Sequence, residues 1–221
     1  MKIHRFIGQI EDEAISRQIR DVLKLKIGER VIISDGKGQD ELVEITNLSK
    51  EIKYKTIEKL KPVHPGRKVN LYLAILKKEN FELAVQKAVE CGVSTITPII
   101  TERTVKTGLN MERLEKIIRE ATEQCGLSDM PELFEIFDFR EAINSHAEEK
   151  IIFHIDESTK TYTPNTKASS ANIFIGPEGG FTEKEIELAK NSGFTVASLG
   201  PLTLRGETAA IIGTYCAVYG V

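Results

Sequence analysis

Apolar and polar positions follow one rhythm before residue 61 and another after residue 66. In the first stretch Ile15, Ile19, Val22, Leu23 and Leu25 fall near the 3.6-residue spacing of a helix face, and Gly28 follows as a stop. Residues 31–34 are an apolar run, residues 35–38 (DGKG) a turn cluster, and residues 41–46 and 51–60 alternate apolar with polar, as half-buried strands do. This pattern predicts a small β-barrel with one helix. Two prolines and a glycine in residues 61–66 break the periodicity, so residues 1–68 and 69–221 are expected to form separate domains.

Beyond that break, strand and helix patterns alternate. Strands are expected at 69–76, 95–100, 151–155, 172–175 and 194–199. Between them, helix faces are spaced along 81–90, along 110–125 with Asn110 as its cap, and along 208–219. Thr182 with Glu185 three residues on forms a capping box for a further helix that stops near Gly193. Such alternation specifies a parallel α/β domain.

Composition narrows the class without naming a function. With 41% hydrophobic and 29% charged residues in 221, the chain is an ordinary globular sequence. No apolar run reaches the length of a membrane helix, and the first residues lack a signal-peptide core, so a cytoplasmic protein is expected, with no membrane partner. Cys91, Cys125 and Cys216 stand far apart and outside any metal-ligand spacing, so reduced thiols and no metal are expected. The net charge of −3 divides into +4 over residues 1–70 and −7 over the rest. A mildly basic first domain is thus joined to an acidic second one.

Ligands of open parallel sheets bind beyond the carboxyl ends of the strands, and two Gly/Pro loops lie there. One is residues 175–181 (IGPEGGF), the other residues 199–208 (LGPLTLRGET). The first lacks both the GxGxxG and the Walker A spacing, and Glu178 would repel a phosphate held by its amides. A cationic nucleoside such as S-adenosylmethionine (AdoMet) fits better: glycines expose backbone groups to its adenine and ribose, and a nearby carboxylate suits its sulfonium.

The segment IGPEGGFTEKEIELAKNSGF followed by SLGPLTLRGETAA resembles the AdoMet-binding end of the SPOUT methyltransferases, most nearly the RsmE-type 16S ribosomal RNA uracil-N3 methyltransferases. His4-Arg5-Phe6, residues 22–25 with Gly28, residues 82–93, Thr101-Glu102-Arg103 and residues 120–124 agree with that family, so the likeness spans almost the whole chain. It implies a SPOUT α/β domain with a carboxy-terminal deep trefoil knot, preceded by a PUA-like β-barrel that positions RNA, and a homodimer. It implies cofactor contacts from Ile175, Gly176, Glu178, Gly179, Leu199, Gly200, Leu204 and Thr208, and RNA contacts from Arg5, Lys24 and Arg103. The expected partner is 16S ribosomal RNA within the small ribosomal subunit. Leu127 and Leu202 stand where the family usually carries arginine, and Gly206 where it commonly carries threonine.

Uracil N3 must lose a proton before it can attack a methyl group, because the neutral imide nitrogen has no available lone pair. A cation near the base oxygens and a basic group near N3 are the physical minimum. Arg205 is the candidate cation, and Glu207 the candidate proton acceptor or orienting partner. The rival expectations are a SPOUT enzyme acting on another base or on a transfer RNA ribose, and a catalytically weak RNA-binding homologue. His64, His146 and His154 are expected to be structural.

Overall fold

A computed structural model describes residues 3–49, 51–156 and 159–221. The chain divides into two compact units, Met1–His64 with Arg119–Met130, and Pro65–Ile118 with Pro131–Val221. Residues 119–130 thus join the first unit, which a division into two continuous segments leaves out.

In the first unit, β1 (His4–Ile7), β2 (Arg30–Ser34), β3 (Asp40–Leu48) and β4 (Ile52–Leu60) form one sheet in that order. The pair β1 and β2 is parallel, the other two pairs antiparallel. Phe6, Ile10, Ile15, Ile19, Val31, Val43, Ile45 and Ile52 pack as its core. Register shifts at Leu42/Val43 and Ile45/Asn47 are bulges, which is why burial along β3 departs from strict alternation. Strand β4 is exposed from Lys53 to Lys59, and its lysines sit on an unpaired edge, where charge discourages pairing with other chains.

The helix ends earlier than its spacing predicts. After α1 (Glu13–Arg17) the chain widens into a π-turn over Gln18–Val22, closed by Leu23 N–H donating to the Gln18 carbonyl. The wider i→i+5 turn rotates Val22 off the buried face, leaving it 68% exposed. Lys24 then takes a left-handed φ of 52°, which stops the helix before Gly28.

In the second unit, β5 (Lys68–Ala74), α2 (Lys78–Glu90), β6 (Thr95–Ile100) and α3 (Met111–Cys125, up to Ile118) come first. Then follow β7 (Glu132–Leu133), β8 (Phe137–Asp138), α4 (Phe139–Ala142), β9 (Glu149–Phe153), β10 (Ser170–Ile175), α5 (Glu183–Asn191), β11 (Thr195–Ala197) and α6 (Gly206–Tyr219). The sheet order is β11-β9-β10-β5-β6-β7, with β8 also on β6, and every pairing is parallel. This is the α/β class that the strand-helix alternation predicts. The sequence reading passes over β1, β7, β8 and α4, each only two to four residues long.

Local signals account for the helix starts. Asn110 Oδ1 accepts from Arg113 N–H at 3.0 Å, and Thr182 and Glu185 close a reciprocal capping box. Phe139, Phe174, Phe181 and Phe194 fill one face of the sheet, their rings meeting edge-on or tilted. Helices α2 and α6 pack together. The register then fixes where ligands meet the sheet: Ile175 lies opposite both Leu73 and Phe153, and Ala197 opposite Phe153. Four adjacent parallel strands therefore end in one row.

Candidate functional site

The loop after β10 is a tight turn clamped from two sides. Gly180 N–H donates to the Pro177 carbonyl at 2.8 Å, and Gly180 has a φ of 68°, a conformation costly to any side chain. On one flank Glu178 Oε1 accepts the N–H of Lys77, the residue that opens α2, at 3.1 Å. On the other, Arg103 Nη1 donates to the Gly179 carbonyl at 2.7 Å and reaches the Phe181 carbonyl at 3.5 Å. Glu102 N–H in turn donates to Glu185 Oε1 at 2.9 Å, so residues 101–103 are tied to the cap of α5.

The loop after β11 runs from Ser198 to α6. Arg205 is the extended residue before that helix and is exposed, and its carbonyl accepts from Ala209 N–H at 2.8 Å. Gly206 opens the helix against the buried Leu76: a Cβ there would lie 2.7 Å from Leu76 Cδ2. Glu207 lies in the first turn of the helix and is only 9% exposed.

Both loops wall a single cleft of about 620 Å³, a size typical of small-molecule sites. Of the residues expected to bind a cofactor, Ile175, Gly176, Glu178, Gly179, Leu199, Gly200 and Leu204 line it, and so do Arg205 and Glu207. Thr208, the third residue of α6, lies off its wall, half-buried. Sequence reasoning passes over Lys77 and Asn80, at the start of α2 beyond β5, and expects His154, just after β9, to be structural; all three line the cleft. The strand-end rule that picks out the two glycine loops applies equally to the ends of β5 and β9, although no glycine or proline motif marks them. His154 is half-buried on the cleft wall rather than in the strand interior.

The expected RNA contacts fare differently. Arg5 is turned inward: its side chain is 7% exposed and pairs with Asp40, so its charge serves the first unit rather than its surface. Lys24 is exposed, as an RNA contact requires. Arg103 belongs to the clamp on residues 177–181. Leu127 is 8% exposed, whereas Leu202 is 74% exposed at the cleft mouth.

Among the described residues, no group of three or more His, Cys, Asp or Glu could hold a metal ion. Burial pushes the Cys91 and Cys216 thiols up, with Glu90 adding to the shift at Cys91, so neither presents a ready thiolate. Among those residues, no helix is long and apolar enough to cross a membrane.

Comparison with known proteins gives a consistent set of likenesses. Residues 64–216 match the model of the RNA methyltransferase domain. A relative from Rickettsia conorii named Ribosomal RNA small subunit methyltransferase E is 29% identical over 214 residues, covering 90% of this chain and 87% of its own. One of the same name from Buchnera aphidicola is 32% identical, covering 88% and 81%. The crystal structure of the Neisseria gonorrhoeae protein of that name, bound to S-adenosyl methionine, superposes with a TM-score of 0.87 at 28% identity, over 96% of this chain and 95% of that one.

Proposed function

Because the chain belongs to the RNA methyltransferase family, we propose that it transfers a methyl group from AdoMet to ribosomal RNA of the small subunit, at uracil N3 of the 16S molecule. The observation that carries this reading is the convergence of residues 175–180 and 199–207 on one cleft at the ends of parallel strands. The cleft suits the cofactor: Gly176, Gly179 and Gly180 leave backbone polar groups uncovered, and Ile155, Ile175, Leu199 and Leu204 offer apolar surface to an adenine.

AdoMet supplies an electrophilic methyl on a sulfonium, and the protein's task is to bring a deprotonated uracil to it. Arg205, exposed on the cleft wall, is placed to stabilise negative charge spreading over the base oxygens. Glu207, the second residue after Arg205, lines the same wall, where it can orient Arg205 or receive the N3 proton. Glu178 spends one carboxylate oxygen on the Lys77 amide, which fixes the turn while leaving its charge beside the cofactor site.

The remaining elements of the reading follow the family. On this reading the carboxy-terminal part of the second unit would carry the family's deep trefoil knot, and the first unit, whose four strands form one sheet, would serve as the PUA-like module that docks RNA, with Lys24 exposed on it. Helix α6 is apolar nearly all round, and Ile212, Tyr215 and Tyr219 stay exposed, a face suited to a second copy of the chain. The setting is the cytoplasm, where small subunits mature. The test is incubation with labelled AdoMet and small subunits lacking the modification, followed by mapping: label on uracil N3 supports the reading, and label on a ribose contradicts it.

A further inference from the structure

The turn over residues 177–180 has little of its own to hold its shape. Its one internal hydrogen bond is Gly180 N–H to the Pro177 carbonyl, and residues 179 and 180 are glycines without side chains to pack. Its shape therefore depends on groups outside it. Arg103 supplies two kinds of hold at once. Its guanidinium donates to the Gly179 carbonyl at 2.7 Å, a charge-assisted bond, and approaches the Phe181 carbonyl at 3.5 Å. Its aliphatic stem lies along Gly179, so that a Cβ at that glycine would be 3.4 Å from both Cβ and Cδ of Arg103.

The arginine is itself anchored. Thr104 N–H donates to the Thr101 carbonyl at 3.1 Å, and Thr101 N–H to Thr104 Oγ1 at 3.0 Å, closing a turn around it. Glu102 N–H bonds Glu185, and Thr182 Oγ1 reaches Glu102 Oε2 at 3.3 Å. The end of β6 is thereby braced against the capping box that opens α5, and Arg103 extends from that brace to the turn between β10 and α5.

We infer that Arg103 is a positioning residue for the AdoMet-binding turn and not a phosphate contact: by holding the Gly179 and Phe181 carbonyls, it fixes the direction of the neighbouring backbone groups that face the cleft. The inference rests on the proposal that this turn holds AdoMet. A phosphate contact and a clamp predict different losses. A phosphate contact gives binding that weakens with salt and lowers RNA affinity when removed. A clamp gives cofactor affinity and turn rigidity that fall together without RNA.

The test uses the full chain with Arg103→Ala and Arg103→Lys. Hydrogen exchange is followed at the amides of residues 178–182 without ligand, AdoMet binding is titrated calorimetrically without RNA, and RNA affinity is measured across a salt series. Faster exchange at these amides in Arg103→Ala is expected, with AdoMet affinity reduced about tenfold, the scale of one charge-assisted hydrogen bond. The slope of RNA affinity against salt is expected to stay as in the unaltered protein. Arg103→Lys keeps a donor and most of the stem, and is expected to recover most of the loss; it carries the comparison should Arg103→Ala fail to fold. Unchanged exchange and unchanged AdoMet affinity, with a shallower salt slope, would overturn the inference. Should the unaltered protein bind no AdoMet, the proposed function falls, while the exchange rates still decide whether Arg103 clamps the turn.

Discussion

Arg5 and Asp40, 35 positions apart, form an ion pair at 2.7 Å with side chains 7% and 1% exposed. Ser128 Oγ donates to the other Asp40 oxygen, and the Arg5 guanidinium reaches the Leu127 carbonyl at 3.5 Å. The pair joins β1, β3 and the 119–130 segment within the first unit. An arginine in the sequence His4-Arg5-Phe6 thus reads as a surface contact only while its partner is unknown.

Removing one member leaves a buried charge alone, which costs about 3 kcal/mol or more. Arg5→Met should lower the unfolding free energy of the first unit by that scale, read from its denaturation midpoint, and leave the salt dependence of RNA binding as it was. A normal midpoint with a reduced salt slope would return Arg5 to the RNA face.

The same pair sets an acid limit. Burial pushes the Asp40 carboxyl up, but hydrogen bonds from Ser128, Ser34 and Arg5, with the Arg5 charge, outweigh it and hold the group below its ordinary 3.8. A carboxylate depressed in the folded state contributes stability above its unfolded value and loses it as pH falls through the folded one. Asp40→Asn should be less stable than the unaltered chain near neutrality, with the gap closing below about pH 4, measured by denaturant midpoints along a pH series.

Arg205→Ala should keep AdoMet affinity within about threefold while lowering single-turnover methylation by roughly a hundredfold, the scale of one lost electrostatic stabiliser. Equal turnover in the variant would take Arg205 out of the chemistry. The residue is exposed, so its loss should leave the melting temperature nearly unchanged.

Gly206 tests packing rather than chemistry. With a Cβ only 2.7 Å from Leu76 Cδ2, Gly206→Thr should force the buried leucine aside and destabilise the second unit by about 1–3 kcal/mol. Leu76→Ala in the same chain should recover part of that loss by making room. Here glycine permits close approach of α6, whereas a glycine replacing threonine in a loop suggests looseness when read from sequence.

The exposed apolar side chains of α6 give a prediction about assembly. Ile212→Glu with Tyr215→Glu should shift the protein to a monomer in sedimentation, if α6 is the face that a second copy covers. A dimer that persists would place the contact elsewhere.

How far the sequence carried the reading depended on the distance over which each feature is determined. Asn110, Thr182 with Glu185, and the β-branched run at residues 95–100 act through neighbours in the chain, and the structure has them as cap, capping box and strand. The two glycine loops were legible because strand-loop-helix order places them at the strand ends. Features made by distant partners were hidden. Arg103 meets Gly179 across 76 positions, Arg5 meets Asp40 across 35, and His154 reaches the cleft only through the pairing of β9 with β10 and β11. The π-turn over Gln18–Val22 was equally hidden, since a 3.6-residue template counts Val22 as buried where the wider turn exposes it.

The most direct measurement is a crystal structure of the protein grown with S-adenosylhomocysteine, the product of methyl transfer. The account predicts the nucleoside between residues 176–180 and 199–206, in contact with their backbone groups, and Arg205 free at the rim. Density for the ligand in any other place, or an empty cleft at saturating ligand, would contradict it.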